Sequence, residues 1–401
     1  MKAVVIGPGR IGCGFVGQLL RSANHEVVFV GRGPVVDLLG RRRRYRVRLI
    51  DGTAVEEIGV DGVDAVNVDD THAVLDHLAS AQLVATAVGA GNLSRVTPLL
   101  AMGIARARQP TNVIAFENLS RAGTWLRGQV ARHLPVGFPL DEHGFSGAVV
   151  SRAVSHRLWP RGPSESLVLV GDRPCTFHVD RAALREPLPA LAGMIATGAY
   201  QAWERRKRCM YSAGHAATAY LGSLKGYHYI HTAIRDPEIR SAVRVAMAEG
   251  QRGLRARYGP GVAGDETDLD AILARFDNAA LSDPIARVGR DPRRKLHADD
   301  RLVGAARLAA DGGTRPEMLA LAITAALCFD DPCDPGAAEL HSEIERLGIA
   351  PVLRSVCGLR PDRGVGRVVA EQWRALAPGW GEGNLLLSLR SRMWAVQAAA
   401  S

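Results

Sequence analysis

The opening of the chain constrains its fold more than any other stretch. Residues 2–6, KAVVI, form a short β-branched run, and GPGRIG follows with glycines at Gly7, Gly9 and Gly12. Residues 11–23 then carry Ile11, Phe15, Leu19 and Leu20 at the spacing of one buried helix face. A strand, a glycine turn and a helix in that order form the setting in which GxGxxG binds a dinucleotide. Gly7 permits the tight turn, Gly9 leaves room for a pyrophosphate, and Gly12 lets the helix approach the sheet. The helix N-terminus, with Arg10 and Ile11 beside it as candidate cofactor-binding residues, faces the phosphate charge. A turn that serves packing alone is the plainer alternative.

The second strand, EVVFV at 26–30, bears on the cofactor. Its end normally carries an Asp or Glu for the adenosine ribose hydroxyls, but here the chain reads Gly31–Arg32–Gly33. Arginine forms charge-assisted bonds with a 2′-phosphate that a carboxylate would repel. The expectation is therefore NADP(H), with NAD(H) as the alternative if Arg32 is simply solvated. Further strand-like runs lie at 45–50, 83–89 and 111–116, and helical patterns at 72–80, 95–108 and 121–134. This rhythm suits a largely parallel sheet with helices on both faces. Val88–Gly89 and Glu117–Asn118 end two of these strands on the side where nucleotide loops gather. A structural cap is the plainer role for Asn118. The runs at 166–171 and 175–179 read as a hairpin closing this domain.

Beyond the proline-rich 185–191 the strand signals stop and helical patterns take over, beginning with one at 191–224. The expectation is an α/β chain: a Rossmann-type domain over 1–190 and a second, mainly α-helical domain over 191–401. KRCMYSAGH at 207–215 sits in the first of these helices. On an ideal helix Lys207 and His215 lie about 80° apart, and Ser212 about 60° from His215. A lysine against apolar packing loses basicity and becomes able to take a proton near neutral pH. A solvated charge run, ERRKR at 204–208, is the competing explanation.

The net charge is +9, which favours an anionic partner. RVGRDPRRKL at 287–296 concentrates that charge, and Arg290, Arg294 and Lys295 are its candidate ligands for a phosphate; a loop laced with salt bridges is the alternative. No nucleic-acid recognition pattern accompanies it, and no stretch reaches the length of a membrane span. The six cysteines form no CxxC pair, so no metal is expected. Reduced thiols and the lack of a signal-like leader lead to a cytoplasmic expectation.

Several blocks in one order resemble the mannitol-1-phosphate 5-dehydrogenase-like members of the polyol-specific long-chain dehydrogenase (mannitol dehydrogenase) family. They are IGPGRIGCGFVGQLL, ATAVG at 85–89, IAFEN at 114–118, GHAATAYLG at 214–222, RFDN at 275–278 and VGRDPRRKL at 288–296. The family signature is Lys-x4-Asn-x2-His. The resemblance implies Lys207 as general base, His215 as its companion, Asn118 as the group that polarises the reacting oxygen, and no metal. It implies hydride transfer between a nicotinamide and a polyol or sugar phosphate of the mannitol 1-phosphate/fructose 6-phosphate type, by a monomer or homodimer. The sequence departs in three places. Ser212 replaces the signature asparagine, Ser151–Arg152 replaces an Asp-Arg pair that would make Arg152 a substrate ligand, and Gly31 replaces the ribose carboxylate. These departures point to a specialised sugar- or cyclitol-phosphate substrate. Two other functions stay open: a hydroxy-acid, keto-acid or opine-type dehydrogenase, and a cofactor-binding regulator without turnover.

Overall fold

The structure is a computed structural model and describes residues 1–162 and 165–376, so 377–401 of the expected second domain lie outside the described residues. Two compact units divide the chain, Met1–Trp203 and Glu204–Ser401.

In chain order the strands of the first unit are β1 (Lys2–Ile6), β2 (Glu26–Gly31), β3 (Arg44–Asp51), β4 (Ala54–Asp61), β5 (Val63–Asn67) and β6 (Leu83–Thr86). They continue with β7 (Asn112–Ala115), β8 (Gly144–Val150), β9 (Val154–Leu158), β10 (Val168–Asp172), β11 (Phe177–Asp180) and β12 (Met194–Thr197). One sheet has the order β12-β11-β8-β7-β6-β1-β2-β5. From β5 to β8 every pairing is parallel, and β11 joins β8 antiparallel. The strand order reverses at β1, between β2 on one side and β6 on the other, which is where such sheets open a ligand crevice.

Side chains along β1 alternate between two cores, as a strand's period of two requires. Ala3 and Val5 join Phe15, Leu19, Phe29 and Tyr45 on one face, while Val4 and Ile6 join Val74, Leu100 and Leu126 on the other. The second face is covered by helices Thr71–Ala79, Leu93–Ala105 and Ala122–Ala131.

Two expectations for this unit need correction. Residues 45–50 form β3, but β3 belongs to a second sheet of order β4-β3-β10-β9. The expected hairpin does not exist: β10 pairs with β3 and β9 in that second sheet, whereas β11 pairs with β8 and β12 in the first. Local pattern shows a strand but not its partner, and β4, almost wholly exposed along AVEEIGVD, carries no apolar alternation that would have shown the second sheet. The division between units falls at Trp203 rather than 190, because β12 lies in the first sheet and the helix expected from 191 starts only at Tyr200.

The second unit is helical around one core. Helix Ala213–Leu224 buries nine residues, and helix Pro237–Tyr258 packs its Val243, Ala246 and Met247 into the same cluster. Helix Glu317–Leu327 is buried nearly all round, as a central core helix should be.

Candidate active site

In the first unit the glycine turn has the geometry of a phosphate cradle. Gly7 has φ +100, and a Cβ there would lie 2.7 Å from the Ala87 carbonyl carbon; a Cβ on Gly12 would lie 2.0 Å from the Gly7 carbonyl oxygen. Both positions need glycine for the fold itself. Gly9 does not: a Cβ there would meet nothing nearer than the Ala87 carbonyl oxygen at 3.9 Å. The open space over Gly9, beside the first turn of a helix, fits a pyrophosphate. That helix begins at Arg10 and Ile11 and passes through a π-helical turn, Gly12–Gly17, before Gln18–Ser22. The Arg10 guanidinium donates to the Ser155 carbonyl at 2.8 Å, and Ile11 packs half-buried against the core beneath.

Beside the turn, Gly89 has φ +86 with open space where its Cβ would be. The Glu117 carboxylate is buried and accepts from the Thr86 hydroxyl at 2.7 Å and the Val88 N–H at 3.0 Å. Burial raises its pKa, and these bonds offset part of the rise. With a bond to each oxygen, Glu117 shapes the 86–89 loop. Asn118 is exposed at the end of β7, and its amide has no partner among the described residues. Arg32 is exposed and bonds Asp69 at 2.7 Å.

Arg152, expected to be a substrate ligand, is a structural clamp. It is 5% exposed. Its guanidinium donates to the carbonyls of Pro174, Gly14 and Arg173 and to Gln18 Oε1 at 2.8–3.4 Å, and it lies over the Phe15 ring. Burial with these acceptors ties the two sheets' connections to the first helix and leaves little of the group for a ligand.

In the second unit the helix that carries Lys207 is not ideal. Helix Tyr200–Lys207 runs into a π-helical turn, Arg208–Ser212, and then into Ala213–Leu224. Wider i→i+5 winding, frequent at functional sites, replaces the angles that an ideal helix would give. The segment packs closely on helix Pro237–Tyr258: a Cβ on Gly250 would lie 2.6 Å from the Cys209 carbonyl oxygen, and one on Gly214 would lie 2.5 Å from Met247 Sδ. The Lys207 amine is half-buried and has no hydrogen-bond or ion-pair partner among the described residues. Burial, then Arg301 and Arg275, lower its pKa to about 8. Ser212 is buried on the same turn, its hydroxyl without a partner among the described residues, and no side-chain hydrogen bond joins Lys207, Ser212 and His215 to one another there.

His215 stacks on Phe276 with ring centroids 5.1 Å apart, and its Nε2 lies 3.2 Å from Asp283 Oδ2. Burial pushes the Asp283 carboxyl up, but His215 and Arg287 more than offset that and hold it below its ordinary value. Asp283 was not singled out from the sequence; its place four residues before Arg287 is the signal that was there to read.

The basic segment resolves into paired and unpaired charges. Arg287 bonds Asp283 at 2.8 Å, Arg293 bonds Glu343 at 2.5 Å, and Arg294 bonds Asp291 at 2.9 Å and Asp300 at 3.4 Å. Arg290 is exposed without a side-chain partner among the described residues. Lys295 is 4% exposed and also unpartnered. Burial, then Arg301 and Arg294, lower its pKa to about 7. Arg301, absent from the sequence reading, thus lowers the basicity of both Lys207 and Lys295, and its own Nε donates to Asp300 at 2.7 Å. Among the described residues no cluster of His, Cys, Asp or Glu could hold a metal ion, and no helix is long and apolar enough to cross a membrane.

Comparison with known proteins gives the same picture. A family model described as the mannitol dehydrogenase Rossmann domain matches residues 1–178, and one described as the mannitol dehydrogenase C-terminal domain matches residues 200–350. Mannitol-1-phosphate 5-dehydrogenase of Brevibacillus brevis is 36% identical over 386 residues, covering 94% of this chain and 98% of that protein. The structure of Pseudomonas fluorescens mannitol 2-dehydrogenase, in ternary complex with NAD and D-mannitol, superposes with a TM-score of 0.77 at 17% identity over 98% of this chain and 94% of that one. A D-sorbitol dehydrogenase superposes with a TM-score of 0.72 at 17% identity over 96% of this chain and 94% of that one. At such identity the two solved structures speak for the fold alone.

Proposed function

The chain belongs to the mannitol dehydrogenase family, and from that membership we propose that it interconverts a polyol phosphate and the corresponding ketose phosphate, of the mannitol 1-phosphate/fructose 6-phosphate type. It is an oxidoreductase with a nicotinamide cofactor. The observation that carries the reading is the Lys207 amine: half-buried, without a partner among the described residues and with a pKa lowered to about 8, it suits proton exchange with an alcohol near neutral pH.

Bound nicotinamide accepts or gives the hydride. In oxidation the neutral Lys207 amine takes the hydroxyl proton; in reduction its ammonium form returns one. Ser212 and Asn118 are the candidate donors to the oxygen as negative charge develops on it. Asp283 holds His215 through Nε2, which leaves Nδ1 as the ring nitrogen available to substrate. Lys295 and Arg290, cations of the basic segment without a side-chain partner among the described residues, are the candidate phosphate ligands, and Arg301 adds positive field beside Lys295. Binding at that distal group can position the reacting carbon. The choice between NAD(H) and NADP(H) falls to Arg32, which a 2′-phosphate could engage only by drawing its guanidinium from Asp69.

The test is a screen of both cofactors against mannitol 1-phosphate, fructose 6-phosphate, other sugar and cyclitol phosphates, and their free forms, read by reduced-nicotinamide absorbance. The expected result is turnover of a phosphorylated polyol or ketose above its free form. Turnover of hydroxy acids or keto acids instead, or cofactor binding without any turnover, would overturn the substrate assignment.

A further inference from the structure

The end of β2 lacks the acid that usually reads the adenosine ribose, and the structure supplies a steric reason. A Cβ on Gly31 would stand 2.5 Å from Cδ and 2.9 Å from Cγ of Pro8, the proline inside the glycine turn, and 3.3 Å from Val36 Cγ2. With Pro8 at that place in the turn, residue 31 has no room for a side chain. The neighbouring strand offers another position. β5 runs parallel to β2 with Asn67 opposite Gly31. Its exit is tied down at two points: the Val68 N–H donates to the Gly31 carbonyl at 2.9 Å, and the Asp69 N–H donates to Asn67 Oδ1 at 3.0 Å.

This anchoring sets Asp69 beside Arg32. Both Nε and Nη2 of Arg32 donate to the same oxygen, Asp69 Oδ1, at 3.2 Å and 2.7 Å. Oδ2 has no partner among the described residues. The pair is exposed, 72% for Arg32 and 63% for Asp69, so it is open to a ligand and neither charge is locked by burial.

We propose that Asp69, at the exit of β5, is the specificity-determining residue for the cofactor: it supplies the carboxylate that β2 cannot carry and reads the 2′ position of the adenosine ribose. Oδ1 holds Arg32 while Oδ2 accepts from a ribose hydroxyl, which favours NAD(H). A 2′-phosphate meets the carboxylate's charge and gains Arg32 only by displacing Asp69, so NADP(H) is the weaker ligand. This inference rests on the nicotinamide-dinucleotide assignment and is independent of the polyol-phosphate substrate.

The experiment is direct titration of the full chain with NADH and with NADPH, followed by nicotinamide fluorescence in the absence of any sugar. The wild type should bind NADH more tightly. Asp69→Asn should shift the NADPH-to-NADH affinity ratio by about tenfold or more toward NADPH, through lost repulsion and a weaker acceptor. Arg32→Ala should weaken NADPH and leave NADH nearly unchanged. Both side chains are exposed, and melting temperatures alongside would show that the variants fold. An Asp69→Asn ratio unchanged from wild type, or an equal change for both dinucleotides, would overturn the proposal while the dinucleotide assignment stands. Failure of the wild type to bind either dinucleotide would overturn that assignment and the proposal with it.

Discussion

The glycine turn at 7–12 and the helical turn at 207–215 both break regular structure at a point of chemical interest, and they do so for different reasons. In the first, the residues that bend the chain are also the ones that make the site: Gly7 and Gly12 are there because a Cβ would strike backbone, and the cradle over Gly9 follows from their geometry. In the second, nothing in RCMYS announces a π-helical turn. It forms where the chain is pressed between Gly250 and Met247 of helix Pro237–Tyr258, and the chemistry comes from side chains whose properties are set by residues far away in sequence. The Lys207 amine, the proposed general base, has its basicity lowered by burial, Arg301 and Arg275. A turn made by its own residues should respond to local substitution by losing the fold; a site made by its surroundings should lose chemistry and keep the fold.

The largest effect expected under that comparison is at Lys207. Lys207→Ala should lower turnover by about 10²-fold or more with the melting temperature nearly unchanged, and Lys207→Arg should fail as well, since a guanidinium does not deprotonate in this range. In the wild type, polyol oxidation should rise as pH passes through about 8 and level off above it, because the amine must be neutral to accept a proton. Ketose reduction should fall over the same interval, because it needs the ammonium form. Initial rates in both directions across pH would check this, and parallel profiles in the two directions would remove Lys207 as the titrating group.

Next in size is a contrast within the glycine turn. Gly12→Ala should destabilise the chain by about 2–3 kcal/mol, since its new methyl group meets the Gly7 carbonyl and the backbone must move. Gly9→Ala should leave stability within about 0.5 kcal/mol and weaken dinucleotide binding by about tenfold. Thermal melting and dinucleotide titration separate the two outcomes. Equal loss of stability at both positions would mean that the space over Gly9 is not reserved for a ligand.

A smaller effect is expected at Asp283. Asp283→Asn keeps the shape but removes the charge that holds His215, and kcat should fall about tenfold with KM changed less. The smallest belongs to Arg294, whose charge is already answered by Asp291 and Asp300. Arg294→Ala should shift KM for a phosphorylated substrate less than about threefold, as for exposed pairs in general. Lys295→Met should raise it about tenfold. Steady-state kinetics on paired phosphorylated and free substrates would measure both.

Much of the first unit was legible because its signals are local. The strand–turn–helix at the start, the parallel βα rhythm and the loops after 86 and 115 follow from periods of two and 3.6 and from glycine. Strand pairing was not legible. Residues 166–171 and 175–179 read as two halves of a hairpin, yet the strands there entered different sheets, because one pairs with β3, on the order of a hundred residues away in sequence, and the other with β8, about thirty away. Arg152 misled for a related reason: an arginine at a motif position reads as a ligand, and only packing around Gln18, Gly14 and Pro174 shows it engaged. Arg294 and Glu117 belong to the same class.

The sequence by itself determined that the chain begins with a dinucleotide turn, that a helical unit follows, and that Lys207, Ser212 and His215 lie within a single helical segment. Those are properties of neighbours along the chain, decided by backbone sterics and hydrophobic period. Only the tertiary structure decided which charges are answered and which are left open: Lys207 and Lys295 without partners among the described residues, His215 held by Asp283, and Asp69 beside Arg32. Charge and basicity depend on every group within a few ångströms and on the exclusion of water, and the distance along a chain carries little information about either.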